Sequence, residues 1–323
     1  MEKIEWAISV DKLRLCINMP ENLFAFFQKE YTSKNEKIRI LDEKDFHLVF
    51  FEEEKKKDKE KDEKDKEKDK IFATLHVRDN DTFFELGTFT FMNTDRYKNQ
   101  AFFEFSNGAL YRVFSMGYDG LPNNYIGCLS YVIDYYSMKY NNVTELEIAF
   151  DSNFNYVSKI RNAIKNIHKY DLFLRGKYQK ENEKLVGYGE YNEMETRTKL
   201  SKTPTLYFHH AKSTDMELKV YDKNREINEK NQYKKYIKDW LNWNDSSKIY
   251  RIEVTWRNTN VREALQSLSK IKEEWGVHEN FLNLILQRDF LMAMLLDGAK
   301  RLVYFKKKKT GEELSIFELA RGI

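Results

Sequence analysis

The chain opens as a succession of strands. Apolar and polar residues alternate imperfectly between Trp6 and Met19. Then FHLVFF (46–51), IFATLHV (71–77), TFFELGTFTF (82–91) and AFFEFSNGALYRVF (101–114) follow as short aromatic and β-branched runs, separated by polar or Gly-containing turns. That spacing predicts an antiparallel sheet. From Pro122 to Tyr140 the period changes: Ile126, Leu129, Val132, Ile133 and Tyr136 recur every three or four residues, which predicts an amphipathic helix. Thr144–Asp151 then alternates strictly, with Leu146, Ile148 and Phe150 on one face and Glu145, Glu147 and Asp151 on the other. A helix is expected over Asn153–His168.

Two further strands, Thr205–His210 and Met216–Tyr221, are joined by Ala-Lys-Ser-Thr-Asp and lead into a charged helix from Asp222 to about Trp243. Tyr250–Arg257 alternates again, placing Arg251, Glu253, Thr255 and Arg257 on one face. After Asn260 the pattern is helical, with a lysine run at Lys306–Lys309. The expected fold is α+β: an antiparallel-sheet domain over 1–258 with flanking helices, and a small helical C-terminal domain over 259–323.

Composition narrows the classes. The 323 residues are 41% hydrophobic and 15% aromatic, with only 12 Gly, 3 Pro and 2 Cys, which excludes collagen-like, Pro/Gly-disordered and disulfide-stapled chains. Cys16 and Cys128 stand far apart with no Cys/His cluster, so neither a zinc site nor a disulfide framework is expected. The apolar stretch FLMAMLLDGA is interrupted by Asp297 and too short to span a bilayer. No secretory pattern opens the chain, and a cytoplasmic protein without membrane attachment is expected.

The net charge of +3 conceals an asymmetry. Residues 52–70 are Lys, Glu and Asp alone, 9 basic and 10 acidic, and read as a solvated insertion between two strands. Residues 201–323 carry 23 Lys+Arg against 17 Asp+Glu, whereas residues 1–200 carry 32 against 35. A C-terminal basic excess is compatible with a polyanionic partner.

Three separate strands present acids: Glu147 and Asp151, Asp222, and Glu253. If these strands are neighbours, the carboxylates converge on a cation, and an all-oxygen set favours Mg²⁺ or Mn²⁺. The alternative is a solvated face of half-exposed strands. Tyr221 shares the polar face of its strand with Glu217 and Lys219, where a tyrosine can act as a nucleophile if a metal polarises the phosphate it attacks. Spacing does not single it out among 20 tyrosines. Strict alternation would also put Asp222 opposite Tyr221, so both share a site only if the strand ends or bulges there; otherwise Asp222 is a helix cap.

The blocks Glu145-Leu-Glu-Ile-Ala-Phe-Asp151, Tyr207-Phe-His-His-Ala-Lys-Ser-Thr-Asp215, Lys219-Val-Tyr-Asp-Lys-Asn-Arg-Glu226 and Arg251-Ile-Glu253 occur in this order, after an opening strand Ser9-Val-Asp-Lys-Leu-Arg-Leu-Cys16. This set resembles the plasmid rolling-circle replication initiators of the Rep_trans, or replication initiation factor, family over roughly residues 8–258. The family pattern has Gly-Ser where His209-His210 stand, and a basic residue at Glu145.

The resemblance implies a fold related to rolling-circle Rep and relaxase nucleases. It also implies a metal-dependent DNA endonuclease and strand transferase that nicks one origin strand. Tyr221 would be the nucleophile, forming a 5′-phosphotyrosyl link and leaving a 3′-OH primer. Glu147, Asp222 and Glu253 would hold Mg²⁺ or Mn²⁺, with Asp151 in reserve. Lys219, Lys223, Arg251, Arg257 and Ser213 are the candidate phosphate contacts, and His209 and His210, which point to opposite faces of a strand, are further candidates. Tyr207, Trp256 and Tyr250 are candidate stacking platforms for the opened strand, and Lys306–Lys309 a candidate duplex contact. The implied partners are origin DNA, a host helicase and a second copy of the chain. A relaxase-like nickase of an integrative mobile element, a filamentous-phage initiator and a non-catalytic DNA-binding regulator stand as alternatives.

Overall fold

The computed structural model describes residues 5–31, 38–51, 70–79, 81–115, 123–174, 205–210, 213–229, 238, 248–274 and 287–321. In chain order the elements are β1 (Trp6–Asn18), α1 (Leu23–Tyr31), β2 (Ile38–Asp42), β3 (Phe46–Phe51), β4 (Lys70–Asp79), β5 (Thr82–Met92), β6 (Gln100–Phe105), α2 (Asn107–Ser115), α3 (Asn123–Tyr135), β7 (Lys139–Ser152), α4 (Tyr156–Lys165), β8 (Tyr170–Leu174), β9 (Leu206–His210) and β10 (Ser213–Asp222). They continue with α5 (Lys223–Glu229), β11 (Tyr250–Arg257), α6 (Asn258–Glu274), α7 (Arg288–Leu302), β12 (Val303–Lys307), β13 (Glu313–Leu314) and α8 (Ile316–Arg321). The architecture is α+β with extensive antiparallel pairing, as expected.

Two compact units divide the chain, one of Lys12–Glu145 and one of Met1–Asp11 with Leu146–Ile323. In the first, the strand order is β2-β3-β4-β5-β6-β1-β7. Its core is aromatic: Phe27 of α1 lies 5.0 Å from Phe50, 4.7 Å from Phe91 and 5.0 Å from Tyr136, ring centre to centre. β3 and β4 pair as antiparallel neighbours, so the charged insertion joins adjacent strands; 52–69 lie outside the described residues. At Gly87 a Cβ would collide with the Glu104 carbonyl oxygen, which restricts that β5 position to glycine. The aromatic run at 101–114 is not one strand. β6 stops at Phe105, and the Ser106 hydroxyl accepts a hydrogen bond from the Ala109 N–H at 3.1 Å, starting α2.

In the second unit the strand order is β1-β7-β11-β10-β9. One face carries Ile148, Leu218, Val220, Ile252, Val254 and Trp256, all 0% exposed, and helices α4, α6 and α7 pack against its strands. Gly298 of α7 lets the helix approach closely: a Cβ there would sit 2.6 Å from Val254 Cγ1 and 3.0 Å from Trp256 Cζ2. The other face carries polar side chains. A smaller sheet, β13-β12-β8, completes the unit.

Residues 258–323 do not stand apart as a unit of their own, but group with β10 and β11. Nor is the C-terminal segment wholly helical. Val303 and Phe305 point inward and pair β12 with β8, while the lysine run ends that strand and enters a turn at Gly311, φ +73°. Lys307 is bound by Glu312 at 2.8 Å and Lys308 by Asp171 at 3.3 Å. Among the described residues no helix is long and apolar enough to cross a membrane.

Candidate functional site

The polar face of the second unit is built by register. β10 and β11 pair so that Lys219 stands opposite Glu253 and Tyr221 opposite Arg251, while Leu218, Val220, Ile252 and Val254 turn to the helices. Period-two alternation thus separates an apolar face from a chemical one. β7 beside β11 adds Glu147, and the end of β1 within this unit adds Asp11. One carboxylate oxygen each from Asp11, Glu147 and Glu253 lie within 4.8 Å of one another. These acids do not form a solvated strand face, because Glu253 is 3% exposed and Asp11 8%.

Two cations occupy this cluster. Lys219 Nζ donates to Glu253 Oε1 at 2.8 Å and Glu147 Oε2 at 3.3 Å, and lies 3.3 Å from Glu217 Oε1. Arg251, fully buried, forks onto Asp151 with two 2.7 Å hydrogen bonds and donates to Asp11 Oδ1 at 3.0 Å. Thr255 Oγ1 donates to Glu147 Oε2 at 2.7 Å. Burial and then the neighbouring Glu253 push the Glu147 carboxyl up to about 7, against the pull of Lys219 and Thr255. Burial alone would lower Lys219, but Glu253, Glu147 and Glu217 outweigh it and hold its ammonium above the ordinary lysine value. The same attraction thus wins at the lysine and loses at Glu147, which has two further carboxylates beside it.

The half-buried Tyr221 sits at the edge of this cluster. Its hydroxyl donates to Glu253 Oε2 at 2.9 Å and accepts from Lys223 Nζ at 3.3 Å. Lys223 is 1% exposed; its ammonium also donates to Glu226 Oε2 at 2.8 Å and lies 5.5 Å from the Tyr221 ring centre. Burial and the Glu253 charge hold the phenol well above its ordinary value, with Arg251 acting the other way, so the hydroxyl is protonated at neutral pH. Three carboxylates with overlapping reach could hold a metal ion.

No family model matches this chain, and no curated protein does. Among solved structures it is similar to the rolling circle replication initiator protein from Geobacillus stearothermophilus. The two are 14% identical, the match covers 96% of this chain and 89% of that chain, and the TM-score is 0.40.

Of the residues expected to act together, the structure gathers Glu147, Glu253, Tyr221, Lys219 and Lys223. Others take different places. β10 continues in regular register to Asp222, opposite Tyr250, so Asp222 faces away from Tyr221, and its Oδ1 accepts from the Arg225 N–H at 3.0 Å, capping α5. Asp151 receives the two-pronged Arg251 fork, and Arg251, 0% exposed, is bound to the Asp151 and Asp11 carboxylates. Lys219 and Lys223 are likewise engaged inside the site. Arg257 lies at its rim, 3.8 Å from Glu217.

Trp256 and Tyr250 are buried, which removes them as stacking platforms; Tyr207, opposite Lys219 on β9, is 42% exposed. In backbone register His209 stands across from Glu217 and His210 from Ser213, with a bulge between; their side chains lie outside the described residues. Asp11 was missed by the reading of acidic strands. Its signal was a lone acid inside the apolar opening strand.

Proposed function

We propose that this chain is a rolling-circle replication initiator that nicks one strand of its origin with Tyr221. The observation that carries the reading is the Tyr221 hydroxyl bonded to Glu253, a member of the three-carboxylate cluster, with a buried lysine on its other side. The ordered motif blocks support the same reading. In the forward step the Tyr221 oxygen attacks a backbone phosphorus and forms a phosphotyrosyl bond, while the bond from phosphorus to the 3′-oxygen breaks. The phenolic proton passes to Glu253, and the departing 3′-oxygen takes a proton from water. Lys223 steadies the negative charge on the phenolic oxygen, and does so again when a 3′-OH reverses the step.

Asp11, Glu147 and Glu253 would hold a divalent cation, whose chemistry is to withdraw charge from the non-bridging phosphate oxygens. The linkage keeps the energy of the broken diester, so resealing needs no nucleotide triphosphate. The test is incubation with a labelled supercoiled plasmid carrying the origin of the replicon that encodes the chain, with Mn²⁺. The expected result is a nicked circle and a covalent protein–DNA adduct, both lost in Tyr221→Phe. No adduct with the unaltered chain, or an adduct that survives Tyr221→Phe, overturns the proposal.

A further inference from the structure

The two cations inside the carboxylate cluster are held in opposite ways. Arg251 is fully buried and its planar fork is fixed by two bonds to Asp151 and one to Asp11, so it cannot leave without stranding two buried acids. Lys219 is a point charge on a flexible four-carbon stem, with a side chain 22% exposed. Its cross-strand neighbour on the other side is Tyr207 of β9, the last strand in the sheet order and itself well exposed. An exit from the cluster is therefore open to Lys219 and closed to Arg251.

The oxygens that Lys219 uses belong to two of the three residues suited to a metal. A Mg²⁺-sized ion bonds carboxylate oxygen at about 2.1 Å. The ammonium is already hydrogen-bonded to Glu253 and Glu147 at 2.8 and 3.3 Å. An ion on the same carboxylates meets a like charge at close range in a half-buried site, where screening is weak.

We propose that Lys219 is the resident counter-cation of the Asp11–Glu147–Glu253 cluster and competes with the divalent ion for it, so that this one side chain sets the metal affinity of the site. This rests on the metal-dependent reading above. Without metal the lysine keeps the acids from repelling one another and holds Glu253 beside Tyr221. With metal its ammonium leaves along the Tyr207 side, on the face where the DNA strand would lie.

The test measures Mn²⁺ binding to the full-length chain without DNA, by the loss of the free-ion electron paramagnetic resonance signal. Lys219→Met and Lys219→Gln are expected to bind Mn²⁺ at least tenfold more tightly than the unaltered chain. Lys219→Arg, which keeps the charge, stays within threefold of it. Equal or weaker binding in both neutral variants overturns the inference, as does absence of binding in every chain. The two readings fail separately. If the unaltered chain forms the adduct and all affinities are equal, only the role of Lys219 is lost; if affinities rise as expected and no adduct forms, only the initiator reading is lost.

Discussion

Glu147→Gln converts the electrostatics of the cluster into a stability measurement. Burial and Glu253 push the Glu147 carboxyl from its ordinary 4.5 to about 7 in the folded chain, whereas the unfolded chain keeps the ordinary value. Below about pH 4.5 both states hold the proton and nothing is lost. Between there and pH 7 the folded state keeps a proton that the unfolded state releases, so stability falls as pH rises. Above pH 7 both are ionised and the full cost is present. At about 1.4 kcal/mol for each pH unit of separation, that cost is about 3 kcal/mol. Glutamine has the same shape and does not titrate. The stability of Glu147→Gln minus that of the unaltered chain should therefore grow by up to about 3 kcal/mol between pH 4.5 and 8, and be flat on either side. Urea denaturation followed by tryptophan fluorescence, in EDTA across this range, reads the difference, and any constant offset from the altered hydrogen bond to Thr255 cancels. A difference that is constant, or that shrinks as pH rises, refutes the account of the cluster.

Other substitutions separate structural from chemical roles. Arg251→Lys removes the bidentate grip on Asp151 and should cost about 3–5 kcal/mol in the same urea experiment, since it leaves buried acids underpaired. Asp222→Ala should cost about 1 kcal/mol as a lost helix cap and Asp222→Asn almost nothing, with Mn²⁺ affinity and adduct yield unchanged in both; a large loss of metal affinity would return Asp222 to the metal site. Gly298→Ala forces a methyl group into Val254 and Trp256 and should cost about 1–3 kcal/mol. Gly127→Ala, in α3 with no neighbour within 4 Å of the added carbon, should gain about 0.5–1 kcal/mol, as read by shifts in thermal midpoint.

Alternation made much of this legible. β7 and β11 separate acids from aliphatics so cleanly that Glu147 and Glu253 could be named from the pattern, whereas Tyr221 of β10, one of 20 tyrosines, was singled out only by the resemblance to replication initiators. What alternation lacks is the identity of the neighbouring strand. Asp11 lies on a strand whose residues 8–11 are all buried, so no contrast marks its two faces, and its partners are more than a hundred residues away. Face assignment also does not distinguish a lysine aimed at solvent from one aimed at carboxylates; for Lys219 the register opposite Glu253 decides. Asp222 was ambiguous for a local reason, the same residue being the end of a strand and the cap of a helix. At 101–114 an aromatic run outweighed the weaker Ser-Asn-Gly start of α2.

The bond between Arg251 and Asp11 spans 240 positions, which has a consequence for the order of synthesis. When Tyr221 leaves the ribosome, Asp11 and Glu147 have already been made, but β11 has not. The tyrosine then lacks its carboxylate partner, and the fork that orients Asp11 does not exist. Closing so long a loop also costs entropy that only the finished sheet repays. On the proposed reading, a nascent or prematurely terminated chain that carries Tyr221 would still lack the completed site, so any strand-breaking capacity would appear only with the last strand of the site.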